Sequence, residues 1–143
     1  MLVDVFAEMF SDAVHECGEK ALLHAVQAAN RKILHAAASN EARKGMGTTV
    51  VALQYRENAA YWAHVGDSRL YLLRKGVLRR LTRDHSFVQD LVERGSITEE
   101  EARNHPKKNL LSRAVGVEEK LVVDTGSFTI EEGDIFLLCS DGL

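Results

Sequence analysis

The sequence predicts an α+β fold, antiparallel sheet layered with helices, and three observations carry that expectation. Residues 3–38 hold no proline and space their apolar side chains three and four apart. Residues 48–82 break into short β-branched and aromatic runs separated by turn residues, and helical spacing then returns before two last strand-like runs. Helices, strands, helices and strands in that order suit segregated layers better than alternating βαβ units.

The elements follow from local chemistry. Phe6, Phe10, Val14 and Cys17 form one helical stripe and Leu22, Val26, Ala29, Ile33 and Ala36 a second, with a break expected near Gly18 and a stop at Asn40. "TTVVALQY" (48–55), "AAYWAHVG" (59–66), "LYLL" (70–73) and "VLRRLT" (77–82) read as an antiparallel meander, with Lys75-Gly76 as a hairpin turn. The first two runs are apolar on nearly every residue, which predicts a sheet covered on both faces, one of them by the N-terminal helices. In "SFVQDLVERG" (86–95) Ser86 can cap a helix and Gly95 end it. Thr98 and Glu101 have capping-box spacing for a shorter helix that Pro106 terminates. Residues 121–130 and 135–140 read as strands joined by the turn 131–134.

Composition narrows the function classes. The chain has 143 residues, 45% apolar and 27% charged, with a single proline, which is the make-up of one globular domain. A net charge of -3 argues against a chain that coats nucleic acid or an anionic membrane. Cys17 and Cys139 show no CxxC spacing, so a reduced, cytoplasmic setting is expected. Asp4, Glu8 and Asp12 interrupt the N-terminus, and no run approaches the ~18 apolar residues of a membrane span, so neither leader nor anchor is expected.

Two strand-end aspartates can carry chemistry: Asp67 in "HVGDSRLYLL" and Asp141 in "CSDGL". Carboxylates on rigid strand ends suit a hard cation, although Asp also favours turns for its own backbone hydrogen bonding. His24 and His35 are too far apart on one helix to share a metal, and only His85, in "TRDHS", has interesting neighbours. Ser68, His85 and Asp84 offer the residue types of a hydrolytic triad, but adjacent Asp-His cannot easily orient each other and no G-x-S-x-G elbow is present. Arg69, Arg74, Lys75, Arg79, Arg80 and Arg83 form either a solvated hairpin face or a receiver for an acidic or phosphorylated partner. "GMGTT" (45–49) lacks the lysine of a phosphate loop and leads into a strand.

Taken in order, "GMGTT", "AHVGDSRLYLLRKGVLRRLTRDHS" (63–86), "NLLSRAVG" (109–116) and "EEGDIFLLCSDGL" (131–143) resemble the PP2C (PPM) family of metal-dependent serine/threonine protein phosphatases, most like its bacterial branch. The resemblance implies an α-β-β-α sandwich of two antiparallel sheets flanked by helices, spread over residues 1–143 as a partial domain. It implies hydrolysis of phosphoserine and phosphothreonine by water activated on Mn²⁺ or Mg²⁺, with a phosphoprotein substrate and an opposing serine/threonine kinase. By motif, Asp141 matches a ligand of the catalytic metal centre and Asp67 a ligand of a third metal. Residues 86–108 match a flap that influences substrate access, and Thr48, Thr49 and Gly116 match structural positions.

The departures from the family pattern are as specific. An N-terminal Arg, a Glu-Asp strand and an Asp-Gly-x-Gly-Gly-His segment are absent, as is the late Asp-Asn. Only Asp141 remains of the expected side-chain ligands of the two-metal centre. The resemblance therefore implies a catalytic-domain fragment, weakly active or inactive by itself, with sheet edges left open for pairing. The competing reading is a non-catalytic pseudophosphatase that binds a phosphoprotein without turning it over.

Overall fold

The computed structural model describes residues 18–140. The first helical stripe, through Cys17, and Asp141 both lie outside the described residues. Helix α1 spans Glu19–Ala38 and follows Gly18, whose φ of 124° marks the expected break. Its predicted stripe is its buried face: Leu22, Val26, Ala29 and Ile33 are covered, with Ala21, Ala25 and Asn30 beside them. The helix ends at Ala38, just before the stop expected at Asn40. Asn40 instead caps a single 3-10 turn, Glu41–Arg43, accepting the Ala42 N–H at 3.0 Å, because a short amide side chain competes for nearby backbone donors.

Six strands follow in two antiparallel sheets. β1 (Val50–Arg56), β2 (Ala59–Val65) and β5 (Asp124–Thr129) form the first, in the order β1-β2-β5. β3 (Arg69–Arg74), β4 (Val77–Arg80) and β6 (Ile135–Cys139) form the second, in the order β4-β3-β6. The expected four-strand meander is thus corrected to two hairpins in different sheets. The chain leaves the first sheet after Val65 and enters the second at Arg69, so Gly66-Asp67-Ser68 is the crossing. Within the second hairpin Lys75 (φ 51°) and Gly76 (φ 78°) both take positive φ, the signature of a type I′ turn whose twist matches the strands.

The core lies between α1 and the first sheet. Leu22, Val26 and Ile33 of the helix pack with Ala63, Val65 and Val115, and Met46, Val50, Ala52, Tyr61, Leu121 and Val123 close around them. Asn30 is the polar exception in this layer: its Oδ1 accepts the Gly116 N–H at 2.6 Å and its Nδ2 donates to the Glu118 carbonyl at 2.8 Å. The second sheet is less covered, with Val77, Leu78, Ile135, Leu137 and Leu138 all exposed. It meets the first through Phe128 against Phe136, ring centroids 5.7 Å apart, and through Arg74, which donates to the Thr129 carbonyl and pairs with Asp134.

Two short helices form an excursion from the second sheet. α2 (Phe87–Glu93) starts at Ser86, whose Oγ accepts the Gln89 N–H, and Gly95 follows it at φ 69°. α3 (Glu99–Arg103) opens with the expected capping box, Thr98 and Glu101 each accepting the other's backbone N–H. The base of the excursion is closed, because Ser86 pairs with Leu111 and the Phe87 N–H donates to the Leu110 carbonyl at 2.9 Å. Thr98→Ala removes the cap from a helix of barely more than one turn. About 1 kcal/mol of local stability should go with it, read as faster amide exchange across 99–104 with the global melting point nearly unchanged. No described helix is long and apolar enough to cross a membrane.

Candidate functional site

Asp67 owes its place to the crossing between the sheets. Gly66 precedes it at φ 111°, a conformation that side-chain-bearing residues rarely adopt. The Gly66 peptide is clamped on both sides by His85: the Gly66 N–H donates to Nδ1 at 3.1 Å, and the His85 N–H donates to the Gly66 carbonyl at 2.7 Å. After Asp67, Ser68 shares a 2.7 Å hydroxyl hydrogen bond with Thr49 of the neighbouring strand entry. The Asp67 backbone is therefore held from before and behind.

The carboxylate borders a cavity of about 590 Å³ between the end of the second sheet and the α2–α3 excursion. Arg69, Arg80, Asp84, Lys108 and Ser140 contribute to its walls. Arg69 is not a free cation there, since it holds Asp84 through Nε and Nη2 at 3.0 and 2.6 Å. β3 and β6 pair Arg69 with Cys139, so β6 ends at the same end of the sheet where the crossing delivers Asp67. A carboxylate at the cavity wall, beside the start of β3, is the oxygen donor type that suits a hard divalent ion of the Mn²⁺ or Mg²⁺ kind.

Five of the six residues of the basic cluster, all but Arg79, are seen in ion pairs among the described residues. Arg74 meets Asp134 and Glu131, Lys75 meets Glu131, and Arg83 meets Asp90 and Glu93 on α2. Arg80 lies 3.6 Å from Asp84. Arg74 holds the Asp134 carboxyl down at about 2, well below the usual carboxylate range. Mutual neutralisation of this kind describes a solvated, buttressed hairpin, in keeping with the simpler of the two sequence expectations.

The triad arrangement does not form. Asp84 belongs to Arg69, Ser68 to Thr49, and His85 turns to a residue the sequence did not flag, Asp124 of β5, with Nε2 and Oδ2 3.0 Å apart. Arg113 completes the group, its Nη1 donating to Asp124 Oδ1 at 2.9 Å and lying 3.3 Å from His85 Nε2. Burial would push the Asp124 carboxyl upward, but the hydrogen bonds and charges of His85 and Arg113 prevail and hold it below the usual range. His85 is pushed down, first by burial and then by Arg113, against the pull of Asp124.

His64, opposite Asp124 across β2 and β5, packs its ring 4.7 Å from that of His85. It is fully buried, and neither ring nitrogen makes a hydrogen bond of ordinary geometry. Burial, reinforced by His85, lowers its pKa to about 4, with Asp124 and the Ser68 backbone opposing weakly. His64, His85 and Asp124 bring potential ligand atoms within 4.8 Å of one another, yet the group does not fit a cation. His85 Nδ1 accepts from Gly66, so Nε2 carries the proton that goes to Asp124, and the Arg113 guanidinium already occupies the other carboxylate oxygen. Asp124 and Asn30 carried no motif or spacing signal, whereas His85 was weighed only for a triad and His64 and Arg113 lay within the ordered motifs without an assigned role.

Comparison with known proteins places these features in context. The family profile described as Protein phosphatase 2C matches residues 4–119. The serine/threonine phosphatase stp of Listeria monocytogenes serovar 1/2a is 45% identical over the whole chain, which covers 57% of that protein. The protein phosphatase PhpP of Streptococcus pneumoniae is 42% identical over 132 residues, or 92% of this chain and 53% of that one. The chain thus spans about half the length of the curated relatives it matches. Among solved structures, the Mycobacterium tuberculosis serine/threonine phosphatase PstP/Ppp superposes with a TM-score of 0.87 at 36% identity, covering 98% of this chain and 59% of that one. A catalytic domain of PstP in complex with two manganese ions gives 0.84 at 33% identity, covering 98% and 60%.

Proposed function

Because the chain belongs to the protein phosphatase 2C family, we propose that it forms the central part of a domain that hydrolyses phosphoserine and phosphothreonine in proteins with the help of Mn²⁺ or Mg²⁺. The observation that carries the reading is the placement of Asp67 on a cavity at the end of the sheet where β6 ends, with Cys139 and Ser140 also on its wall. The relative solved with two manganese ions supports the metal requirement.

In this reading Asp141 and Asp67 hold metal, and the α2–α3 excursion acts as the flap over the cavity. Metal ions bound there supply a water acidic enough to attack phosphorus at neutral pH and positive charge for the phosphoryl oxygens. The protein's part is positional. Gly66 and Ser68 fix the Asp67 backbone, and Arg69, engaged with Asp84, keeps its charge at the cavity wall. The substrate is a phosphorylated protein, the reaction opposes a serine/threonine kinase, and the cytoplasm, where the Cys139 thiol stays reduced, is its setting.

The test joins residues 1–143 to the flanking segments of the Listeria phosphatase and measures phosphate release from a phosphothreonine peptide with Mn²⁺ and with chelator. Metal-dependent release is expected. Asp141→Ala should lower it by roughly 100-fold or more, the scale of losing a group that meets charge in the transition state. Asp67→Ala should cause a smaller loss, greatest at low metal. Turnover that ignores chelator, or survives Asp141→Ala intact, would refute the proposal. Tight phosphopeptide binding without any turnover would establish the binding-module reading instead.

A further inference from the structure

We propose that His85 is a positioning residue for the Asp67 carboxylate, acting through the Gly66 peptide and locked in one tautomer by Asp124 and Arg113. The inference rests on the metal reading of Asp67 above.

Its geometry is over-determined. His85 is fully buried and its backbone is pinned on two sides, the N–H donating to the Gly66 carbonyl and the carbonyl accepting the Ser112 N–H at 2.9 Å. Its ring joins two strands of the first sheet, with Nδ1 on the Gly66 N–H just after β2 and Nε2 on Asp124 in β5. A neutral imidazole has one donor and one acceptor nitrogen. The Gly66 N–H can only donate and the Asp124 carboxylate can only accept, so both contacts are satisfied by the Nε2–H tautomer alone. The Arg113 guanidinium, itself only a donor, approaches Nε2 because both groups aim at the same carboxylate. Protonation of Nδ1 would cost the Gly66 contact and release the peptide immediately before Asp67.

The arrangement parallels the way second-layer hydrogen bonds orient metal-binding side chains, here through a backbone amide instead of a ligand's own ring. Such contacts typically tune metal affinity by about 10–100-fold. Two substitutions separate the functions of the two nitrogens. The side-chain oxygen of Asn can take the place of Nδ1 and keep the Gly66 contact, whereas the longer Gln reaches toward Nε2 and Asp124 but leaves the Gly66 N–H without its acceptor.

The experiment uses the 143-residue chain itself and needs no turnover. With ¹⁵N-labelled histidine, the ring nitrogens of His85 should show the Nε2–H tautomer at neutral pH; an Nδ1–H or doubly protonated ring overturns the proposal. Mn²⁺ is then titrated while paramagnetic broadening of the Asp67 amide is followed. His85→Asn should broaden at nearly the native Mn²⁺ concentration, and His85→Gln should need about ten times more, with amide spectra confirming that both variants fold. Equal behaviour of the two variants, in either direction, overturns the positioning role. If a variant fails to fold, Asp124→Asn, which weakens the tautomer lock from the far side, must show a raised Mn²⁺ requirement or the role is refuted. No broadening at Asp67 in the native chain sinks the metal reading beneath, while broadening indifferent to His85 sinks only the clamp.

Discussion

Gly66→Ala is expected to destabilise the protein more than any other single methyl addition at the site. A Cβ at Gly66 would sit 2.3 Å from Thr49 Cγ2 and 2.6 Å from Thr49 Cβ, both well inside contact distance. The φ of 111° adds backbone strain for any residue with a side chain. Overpacking and an unfavourable backbone region cost about 1–3 kcal/mol each. Together they should lower the melting temperature by on the order of 10 °C. Differential scanning calorimetry checks it. Thr49→Ser in the same background removes Cγ2 but keeps a hydroxyl for Ser68, and should restore only part of the loss because the strain and the second contact remain. A melting point unchanged by Gly66→Ala would show that the crossing relaxes freely, which would also weaken the case for a fixed Asp67.

Acid should destabilise the fold through His64. Its folded pKa of about 4 lies below the 6.5 of an unhindered histidine, so between those values the unfolded chain binds a proton that the folded chain refuses. Stability must therefore rise with pH across that window and fall as pH drops from 6.5 toward 4. The full shift corresponds to roughly 3 kcal/mol. His85, also pushed down, adds to the slope with the same sign. Asp134 acts lower: its carboxyl, held at about 2, contributes stability that is lost as pH falls below the ordinary aspartate range. Thermal melts at pH 7, 5.5 and 4.5 should show a steady decline, and His64→Phe should make it shallower between 6.5 and 4, leaving the contribution of His85 and the decline below pH 4. A flat profile in the native protein would contradict the burial of an uncharged, unpartnered imidazole.

These expectations separate what local pattern reveals from what it conceals. The stripe Leu22, Val26, Ala29, Ile33 was legible because a helix turns every 3.6 residues and only one face meets the sheet. The capping box at Thr98 and the turn at Lys75-Gly76 were legible because their hydrogen bonds and dihedrals are satisfied within a few residues. The helix stop at Asn40 was legible for a related reason: the helix ends at Ala38, and the short Asn40 side chain takes a nearby backbone donor to start the next turn.

Strand order was not legible in the same way. The runs 59–66 and 70–73 look like neighbours in a meander, and only three residues separate the strands they become. The chain instead crosses between sheets there, because Gly66 adopts a conformation that carries the chain away from β2 and His85, nineteen residues later, grips the peptide in place. That grip joins residues far apart in sequence, which no window of local pattern can see. The same holds for Arg69 with Asp84, Asn30 with Gly116, and Asp124 with His85.

The sequence by itself determined the class of fold, the elements and their caps, the family through its ordered motifs, and Asp67 and Asp141 as the residues to watch. These rest on periodicities, turn chemistry and short motifs that are complete within a few residues. Only the tertiary structure decided that Asp67 stands at a crossing between two sheets, that carboxylates of other segments pair with most of the basic cluster, and that His85 answers to Asp124 and Gly66 instead of to its neighbour Asp84. Each of those depends on the directions of hydrogen bonds across tens of residues, and a buried donor or acceptor takes whichever partner the packed chain brings within reach.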